Sequence, residues 1–581
     1  MLPKWNLKSL FSQDSDVKKF LKNLENTIQE FSQNYKNIQK LTDLEILQAI
    51  QIYEKICEDL GKVGSYAYLR YSVDMQNPKT LSFYQSISEE ISELSSQISF
   101  FTIALNSLSS EILNSKNLTK YKPFINKVQI FKPFELAKEL EEMLIKKSVT
   151  SGDAWVRLYD ETLAGMEFEL EGKKANLTQI LNSLSSPSPN LRKSSAKSLG
   201  KELKKNEKLI TFIINAIIKD KQIEDKYRGF SQPIQSRNLG NFIEDEIVEK
   251  LIQTVKNNYP KLSHRYYSLK AQIFKSKSLK YWDRNAPLPF ADDANFSFEQ
   301  AKDLTLKSYS EFSPQIAEIA NKFFENNWID AEVHEGKTSG AFSHPTVPSA
   351  NPFVMLNFLG KLRDVSTMAH ELGHGVHQFL AKKQGALMAD TPLTLAETAS
   401  VFGEMLVFKN LLKNSQTNEQ KLLLLGNKIE DMLNTVVRQI AFCEFEGILH
   451  EERQKGELSS DFISQTWLKV QKDSLGEAIE FEDEYGLFWC YISHFFHAPF
   501  YVYSYAFGDC LVNSLYSLYE GKNIENFEEK YIEMLEKGGS EHHADLLKPF
   551  NINLTESDFW QQGLNVIEGY INEFEELLKK L

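Results

Sequence analysis

The stretch from Val365 to Gly385 contains residues whose types and spacing could do chemistry. His370 and His374 enclose Glu371 in an H-E-x-x-H pattern. On an α-helix the two histidines would lie one turn apart on the same face, where both imidazoles can reach one metal ion. Glu371 would lie about 100° further round the helix, where its carboxylate could hold a water bound to that metal. The pattern therefore predicts a metal-dependent hydrolytic site.

The surrounding residues predict the helix that must position this pattern. Asp364 or Ser366 can cap its start, and Gly385 can end it. Apolar residues recur at three- and four-residue steps and form a stripe that would face protein. They are Val365, Met368, Ala369, Leu372, Val376, Phe379 and Leu380.

A catalytic zinc ion usually takes three protein ligands, so the chain must supply a third. Glu397 is the best candidate, because it lies 23 residues after His374 (397 − 374), enough to end one helix, turn and pack a second against it. Asp390 or Thr391 can cap that second helix, and Pro392 suits its first turn. We therefore expect one Zn²⁺ per chain, bound by His370, His374 and Glu397 in a His₂Glu site.

Two nearby residues have alternative interpretations. His377 is seven residues after His370 on the same stripe, but it lies a further turn along the axis, where a third collinear ligand strains tetrahedral geometry. It could instead support a ligand or pack in the core. Glu404 could orient a ligand histidine through an outer carboxylate contact, or it could be a solvated surface residue.

Hydrolysis of an amide also needs donors for the oxyanion that forms on the substrate carbonyl. The stretch from His494 to Tyr505 is rich in donors, with His494, His497, Tyr501, Tyr503 and Tyr505. Beyond Pro499 it is typical of a helix, on which Tyr501 and Tyr505 share a face and Tyr503 points elsewhere. The alternative is that these aromatic residues pack in the core of a helical protein.

Composition restricts the class of protein and its partners. A chain of 581 residues with 42% hydrophobic residues predicts a globular protein of two or more domains or an elaborated helical body. The net charge of −13 argues against nucleic-acid or anionic-membrane partners. The four scattered cysteines, the absence of an apolar leader and an apolar run of only ten residues, Leu209 to Ile218, predict a cytoplasmic protein.

Most of the chain carries helical periodicity, which predicts a mainly α fold. Long helices are expected over Val17–Phe31, Asp43–Leu60, Leu81–Leu113, Phe134–Lys147, Leu209–Lys219, Phe242–Asn257, His264–Phe274 and Phe298–Asn326. A hairpin is expected between Ala164 and Leu177, and a Ser/Pro-rich loop places a boundary near Ser186.

A small β region is expected just before the H-E-x-x-H helix. Residues 331–334 alternate in polarity, residues 335–340 form a glycine-containing loop, and Asn351–Phe358 is rich in strand-forming residues. Pro352 at the start of this last run suggests an edge strand. We expect the strand and the metal helix to share a wall.

Several motifs together resemble oligoendopeptidase F, in the thimet oligopeptidase family of zinc metallopeptidases. They are HELGH with AETAS downstream, GKTSGAFS and NPFVMLNF upstream, YWDRNAPLP, HFFHAPFYVYSYAFG and the C-terminal FWQQGLNVIEGYINEFEEL. The resemblance spans residues from about 190 to the end, and plausibly the whole chain.

The resemblance implies a fold and a set of roles. The fold would be a two-lobed, mostly helical body around a deep substrate channel with the zinc on its floor, so the chain would cleave short unstructured oligopeptides. Residues 1–185 would form an N-terminal helical domain and 186–581 the catalytic domain. His370, His374 and Glu397 would bind zinc, Glu371 would be the general base, and His494, Tyr501 and Tyr505 would contact the scissile carbonyl, with the choice between His494 and His497 left open.

The same resemblance suggests substrate contacts. The edge strand at Phe353–Phe358 would hold the substrate backbone by β-addition, and the loop from Gly336 to Gly340 could close over it. Gly340, Phe353, Met355, Asn357, His497 and Tyr503 are the candidate substrate-binding residues.

The main alternative function is a zinc carboxypeptidase or dipeptidyl carboxypeptidase on a related helical scaffold. That activity requires a basic residue or a blocked cleft that recognises the substrate C-terminus. A catalytically inactive peptide-binding protein is disfavoured, because the predicted metal ligands and the general base are all present.

Overall fold

A computed structural model of the chain describes residues 2–290 and 295–581. Helices dominate the described residues, and the strands are short, so the mainly α prediction is confirmed. The chain divides into two compact units, each assembled from separate stretches. Unit 1 comprises Met1–Pro133, Asp293–Asn414 and Leu518–Ile552, and unit 2 comprises Phe134–Asp292, Ser415–Ser517 and Asn553–Leu581.

The helices follow one another with few long irregular segments. In the first half of the chain they are α1 (Asp14–Tyr35), α2 (Asp43–Ser72), α3 (Pro78–Ile98), α4 (Phe100–Asn106), α5 (Ser110–Leu113), α6 (Lys122–Gln129), α7 (Lys138–Ser148), α8 (Gly152–Ala164), α9 (Leu177–Ser183), α10 (Pro189–Arg228), α11 (Gln235–Gly240), α12 (Asp245–Asn258) and α13 (Arg265–Ile273).

The helices of the second half follow the same chain order. They are α14 (Phe298–Phe312), α15 (Pro314–Glu325), α16 (Leu362–Ala381), α17 (Leu393–Ala396), α18 (Thr398–Asn414), α19 (Asn418–Thr435), α20 (Val437–Arg453), α21 (Ser460–Leu475), α22 (His494–His497), α23 (Tyr503–Glu520), α24 (Phe527–Glu536), α25 (His543–Leu547) and α26 (Ser557–Leu578). No helix in the described part of the chain has the length and apolarity needed to cross a bilayer.

The predicted helices are present, but some are interrupted. The helix expected from Phe298 to Asn326 is two helices, α14 and α15, because Ser313 is extended and Pro314 begins a new first turn. The helix expected from Leu81 to Leu113 is likewise divided among α3, α4 and α5.

Unit 2 contains two small ladders. The predicted hairpin is confirmed, since β1 (Phe168–Leu170) pairs antiparallel with β2 (Lys173–Ala175). Glu171 and Gly172 form its turn with φ of 50° and 75°. Further along the chain, β3 (Leu279–Lys280) pairs in parallel with β7 (Ile479–Glu480).

Unit 1 contains a three-stranded sheet in the order β4-β6-β5. The strands are β4 (Ile329–Asp330), β5 (Phe342–His344) and β6 (Phe353–Met355). The central strand is β6, which pairs in parallel with β4 and antiparallel with β5. The prediction that β6 is an edge strand is therefore wrong. Pro352 lies just before the paired residues, so it removes no ladder hydrogen bond, and the two edges of this sheet are β4 and the unpredicted strand β5.

The N-terminal helices and this sheet region share one apolar core within unit 1. Buried side chains from Leu10 to Ile125 form a cluster with Val347, Ala350, Phe353 and Met388. Unit 2 extends from Phe134 to Asp292 across the boundary predicted between residues 185 and 186. Ser186 lies in the loop before α10, and that domain boundary stays a prediction.

Candidate active site

Helix α16 places both histidines of the H-E-x-x-H pattern on one face. Its start is held by Asp364, whose Oδ2 accepts hydrogen bonds from the backbone N–H groups of Leu359 and Lys361, both at 2.9 Å. The opposite stripe, including Val365, Met368, Leu372 and Val376, is buried. The rings of His370 and His374 lie 4.9 Å apart between centroids.

Glu397 comes close to both histidines. Its Oε2 lies 3.5 Å from His370 Nε2 and 3.4 Å from His374 Nε2. The ligand atoms of the three residues all lie within 4.8 Å of one another. Glu397 is not inside a continuous helix as expected, because it lies at the break between α17 and α18.

The close approach of α16 and α18 depends on Gly373 inside the H-E-x-x-H pattern. A Cβ atom at this position would lie 2.4 Å from the carbonyl oxygen of Ala399 and 2.6 Å from Ser400 Cα. Both distances are well below van der Waals contact, and both atoms belong to the backbone. Small residues at the crossing therefore bring Glu397 to the histidines.

Glu404 orients the first histidine. Its Oε2 lies 3.4 Å from His370 Nδ1, which leaves Nε2 facing Glu397. Burial alone lowers the pKa of His370, but the bond to Glu404 and the charges of Glu397 and Glu371 outweigh burial and raise that pKa to about 9. The carboxylate–histidine arrangement is the one that fixes the ring of a metal-bound histidine.

Glu397 is held as a carboxylate. Burial by itself raises its pKa, but the bond to His374, the charge of His370 and the hydroxyl of Ser400 lower it to about 2. Ser400 Oγ donates to Glu397 Oε2 at 2.6 Å. An ionised carboxylate beside two imidazoles is the donor set of a His₂Glu zinc site.

Glu371 is buried beside these three residues, with 7% of its surface exposed. Burial raises the pKa of its carboxyl, against the lowering effects of His370 and His374. The backbone N–H of Ser343 on β5 donates a hydrogen bond to it. The edge strand therefore fixes the carboxyl that the H-E-x-x-H pattern assigns as general base.

His377 lies apart from this donor set. It is buried, its Nε2 lies 3.3 Å from Thr391 Oγ1, and it bonds to the backbone of Ala396. These contacts tie α16 to the segment that leads to Glu397.

The donor set fits zinc. A tetrahedral zinc ion with bonds of about 2.0–2.2 Å separates its ligand atoms by about 3.3–3.6 Å, and the two histidine–carboxylate distances are 3.5 and 3.4 Å. Glu404 supplies the outer carboxylate that such a site uses.

The structure places the predicted substrate residues of the sheet differently from expectation. Phe353 and Met355 are fully buried in the central strand β6, so they cannot present a free strand edge. Asn357 Nδ2 donates to the carbonyls of Thr338 and Gly340, both at 2.9 Å, and thereby shapes the loop before β5.

Lys337 anchors the same loop. Its amine donates to Asp330 Oδ1 at 2.6 Å and to the carbonyls of Glu332 and Leu356, both at 2.8 Å. The side chain is only 1% exposed. The loop that was expected to close over substrate is thus fixed to the sheet by a buried cation.

In unit 2, three of the predicted donors form one aromatic cluster. His494 Nε2 lies 3.3 Å from the Tyr505 hydroxyl, and its ring stacks on Tyr501 with centroids 5.7 Å apart. The rings of Tyr501 and Tyr505 are 5.3 Å apart, so the two tyrosines share a side although Tyr501 precedes α23. Arg237, which sequence reasoning missed, lies over the Tyr501 ring at 5.9 Å and bonds to the Pro499 carbonyl at 3.1 Å.

The other two predicted donors lie outside this cluster. His497 Nε2 pairs with Asp160, 2.9 Å from Oδ1. Tyr503 is fully buried, and its hydroxyl accepts a hydrogen bond of 2.8 Å from Asn241. Of the two histidines, His494 is therefore the one that joins the tyrosines.

The sequence of this chain is similar to those of known peptidases over most of its length. The model of peptidase family M3 matches residues 182–566, and the oligopeptidase F model matches residues 107–168. Oligopeptidase PepF of Bacillus subtilis is 27% identical over 99% of this chain and 87% of its own length. An oligoendopeptidase F homolog of Borreliella burgdorferi is 28% identical over 99% of this chain and 98% of its own.

Solved structures share the fold. A protein from Chlamydophila abortus has a TM-score of 0.86 with 24% identity over 99% of this chain and 98% of its own. Oligoendopeptidase-F from Enterococcus faecium has a TM-score of 0.72 with 20% identity over 97% of this chain and all of its own. The family model and the sequence relatives place this mainly helical protein in the class of metallo-oligopeptidases. The chain belongs to peptidase family M3.

Proposed function

We propose that this chain is a zinc-dependent endopeptidase that hydrolyses internal peptide bonds of short unstructured oligopeptides. The observation that carries the proposal is the donor set of His370, His374 and Glu397, whose ligand atoms all lie within 4.8 Å of one another. The buried carboxyl of Glu371 lies beside them. We further propose that the metal is zinc, that the target is an internal peptide bond and that the protein works in the cytoplasm.

Glu371 would act as the general base. When bound, zinc supplies a positive charge that acidifies a water and polarises the substrate carbonyl. The Glu371 carboxylate accepts the proton of the attacking water and returns it to the leaving amine. Burial raises the pKa of Glu371, which helps it to hold that proton between the two transfers. The N–H of Ser343 keeps the carboxyl oriented.

His494, Tyr501 and Tyr505 are the proposed donors to the substrate oxyanion. Their support is the cluster that they form, with an imidazole nitrogen 3.3 Å from a phenol hydroxyl. Removing one such donor typically costs 10²–10³-fold in kcat. Tyr505→Phe should lower kcat in that way at unchanged zinc content. Unchanged kcat would remove Tyr505 from the mechanism. No substrate role is proposed for Tyr503, because its hydroxyl is occupied by Asn241.

The substrate backbone would pair with β5 rather than with β6. The support is the strand order, which leaves β4 and β5 at the edges, together with the contact of β5 with Glu371 through the Ser343 N–H. Peptides N-methylated one position at a time test this pairing. One position should lower kcat/KM at least tenfold by removing an N–H donor, and equal cleavage of every N-methylated peptide would contradict it.

An internally quenched peptide with both ends blocked separates the proposed endopeptidase from a carboxypeptidase. We expect cleavage at an internal bond, with product masses that locate it. A peptidase that needs a free terminus would leave the blocked peptide intact and cleave its unblocked counterpart, and that result would contradict the proposal.

A further inference from the structure

Unit 2 contains a cavity of about 200 Å³ that the proposed chemistry does not use. Its lining combines aromatic and leucine side chains with the polar groups of two arginines, an asparagine and three tyrosines. Arg284 and Arg438 are the two arginines in this lining. A water molecule takes up about 30 Å³ in the liquid, so the cavity has room for about six or seven waters. A single amino acid fills about the same volume.

The two arginines have unpartnered polar atoms. Arg284 is 7% exposed, and its Nη1 is buried with no hydrogen-bond partner among the described residues. Arg438 has a buried Nε that also lacks a partner in the described part of the chain. Within residues 2–290 and 295–581, neither guanidinium has a carboxylate oxygen within 4 Å. Arg438 lies over the Phe442 ring at 4.9 Å, which does not neutralise its charge.

The acidic residues nearby are already engaged. Glu430 accepts from Lys270 Nζ at 2.6 Å and from the Tyr266 hydroxyl at 2.7 Å. Asp283, next to Arg284 in sequence, accepts from Arg192 at 2.7 Å. Glu430 pairs with Lys270 and Asp283 with Arg192, so in the described part of the chain neither carboxylate forms an ion pair with Arg284 or Arg438, although the charge of Glu430 still acts on Arg284.

Buried charge without a partner is costly, and a buried polar atom without a hydrogen bond adds to that cost. A guanidinium fork is suited to the two oxygens of a carboxylate. The aromatic and leucine side chains of the lining can contact an apolar group attached to that carboxylate, beside polar groups that can bond to it. An inorganic anion would satisfy the arginines but leave these walls without a partner.

We propose that this cavity binds a small organic carboxylate, with Arg284 and Arg438 on the carboxylate and the aromatic walls around its apolar part. The carboxylate could come from a free amino-acid-like molecule or from the C-terminus of a peptide. Both ligands present a carboxylate attached to an apolar group, and a kinetic comparison of peptides distinguishes them. The binding arm does not depend on the proposed peptidase function, because it requires no turnover.

The binding arm uses the full-length chain in buffer free of carboxylate and phosphate. N-acetyl-phenylalanine is the probe, N-acetyl-phenylalanine amide lacks the charge, and inorganic phosphate lacks the apolar part. Isothermal titration measures Kd for wild type, Arg438→Gln, Arg284→Gln and Arg438→Lys. Arg157→Gln is the matched control, because Arg157 is 80% exposed and pairs with Glu161 on its own helix.

We expect wild type and Arg157→Gln to bind the acid at least tenfold more tightly than the amide or phosphate. Both glutamine variants should lose at least tenfold in affinity, and Arg438→Lys should lose less. Arg438 is only partly buried, so Arg438→Gln decides the test even if Arg284→Gln does not fold. The proposal is overturned if wild type does not bind the acid, or if Arg438→Gln binds it as tightly as wild type. If wild type binds phosphate as tightly as it binds the acid, and Arg438→Gln loses the affinity for phosphate, the assignment to an organic carboxylate is overturned.

The kinetic arm compares kcat/KM for peptide pairs that differ only in a free or amidated C-terminus. A loss of at least tenfold in Arg438→Gln that is confined to the free acids identifies the peptide C-terminus as the ligand. If Arg438→Gln loses affinity for N-acetyl-phenylalanine but its kcat/KM changes equally, or not at all, for the free acids and the amides, the ligand is a free small carboxylate.

Discussion

At the scale of single residues, Glu446 explains how the chain enters the aromatic cluster of unit 2. Phe500 has a φ of 59°, which is unfavourable for a residue with a side chain, and it directly precedes Tyr501. Its N–H donates to Glu446 Oε1 at 3.0 Å, and its ring lies 4.8 Å from that of His450. Glu446 is buried, and burial raises its pKa to about 8.

This raised pKa predicts that the protein loses stability as the pH rises. The folded state binds a proton at Glu446 up to about pH 8, whereas the unfolded state releases it near its ordinary pKa of 4.5. Stability is therefore lost as pH rises from 4.5 through 8, on the order of 2 kcal/mol between pH 6 and pH 8. Glu446→Gln mimics the protonated form and should remove this contribution, as read from thermal midpoints at the two pH values.

Glu451→Gln is the control for this pH effect, because Glu451 lies on the same helix and is exposed. It should keep the wild-type pH slope. The same slope in Glu446→Gln as in wild type would show that Glu446 titrates normally.

Residues with a recognisable spacing could be predicted from the sequence, and residues that act through long-range contacts could not. His370, His374 and Glu397 were predicted from spacing and converge in the structure. Ser343 could not be predicted, because it reaches Glu371 through a backbone N–H that any residue carries. Arg237 lies more than 260 residues before the tyrosine that it contacts, and no local pattern marks it.

At the scale of elements, the crossing of α16 and α18 sets the geometry of the donor set. Gly373→Ala should force the two helices apart, because the added Cβ would meet backbone atoms of Ala399 and Ser400. Overpacking of this kind typically costs 1–3 kcal/mol. We expect a lower thermal midpoint and a lower zinc content, since Glu397 would move away from the histidines.

Gly447→Ala is the matched control. Gly447 lies within α20, and a Cβ there would meet none of the described atoms outside its own helix within 4 Å. Alanine should therefore be neutral or stabilise that helix by up to about 1 kcal/mol. Equal effects of the two substitutions would contradict the role given to the crossing.

The sheet shows why strand predictions were less successful than helix predictions. A short run such as Phe353–Met355 looks the same at an edge or in the centre, because its partners β4 and β5 come from elsewhere in the chain. Pro352 indicated an edge, yet it precedes the paired residues. Phe342–His344 has only three residues and no clear alternation, so β5 was missed.

At the scale of the whole molecule, each unit is built from distant stretches of sequence. The core of unit 1 combines helices from the first 133 residues with Val347, Phe353 and Met388. A fragment of residues 186–581 would expose these buried residues. We expect it to lack a cooperative thermal transition and to bind little zinc, and co-expression with residues 1–185 should restore both.

A cooperative transition and wild-type zinc content in the isolated fragment would contradict this expectation and support the boundary predicted near Ser186. The sequence indicated that boundary from a Ser/Pro-rich loop, and such a loop is present before α10. Composition cannot show that distant stretches pack into one core.

The most direct test of the central claim compares zinc content and turnover in Glu371→Gln and Glu397→Ala. Glu318→Gln, at a side chain that is 73% exposed, is the control. We predict that Glu371→Gln keeps one zinc per chain and loses at least about 10²-fold in kcat on a doubly blocked peptide, whereas Glu397→Ala loses zinc. Wild-type turnover in Glu371→Gln, or unchanged zinc in Glu397→Ala, would contradict the account.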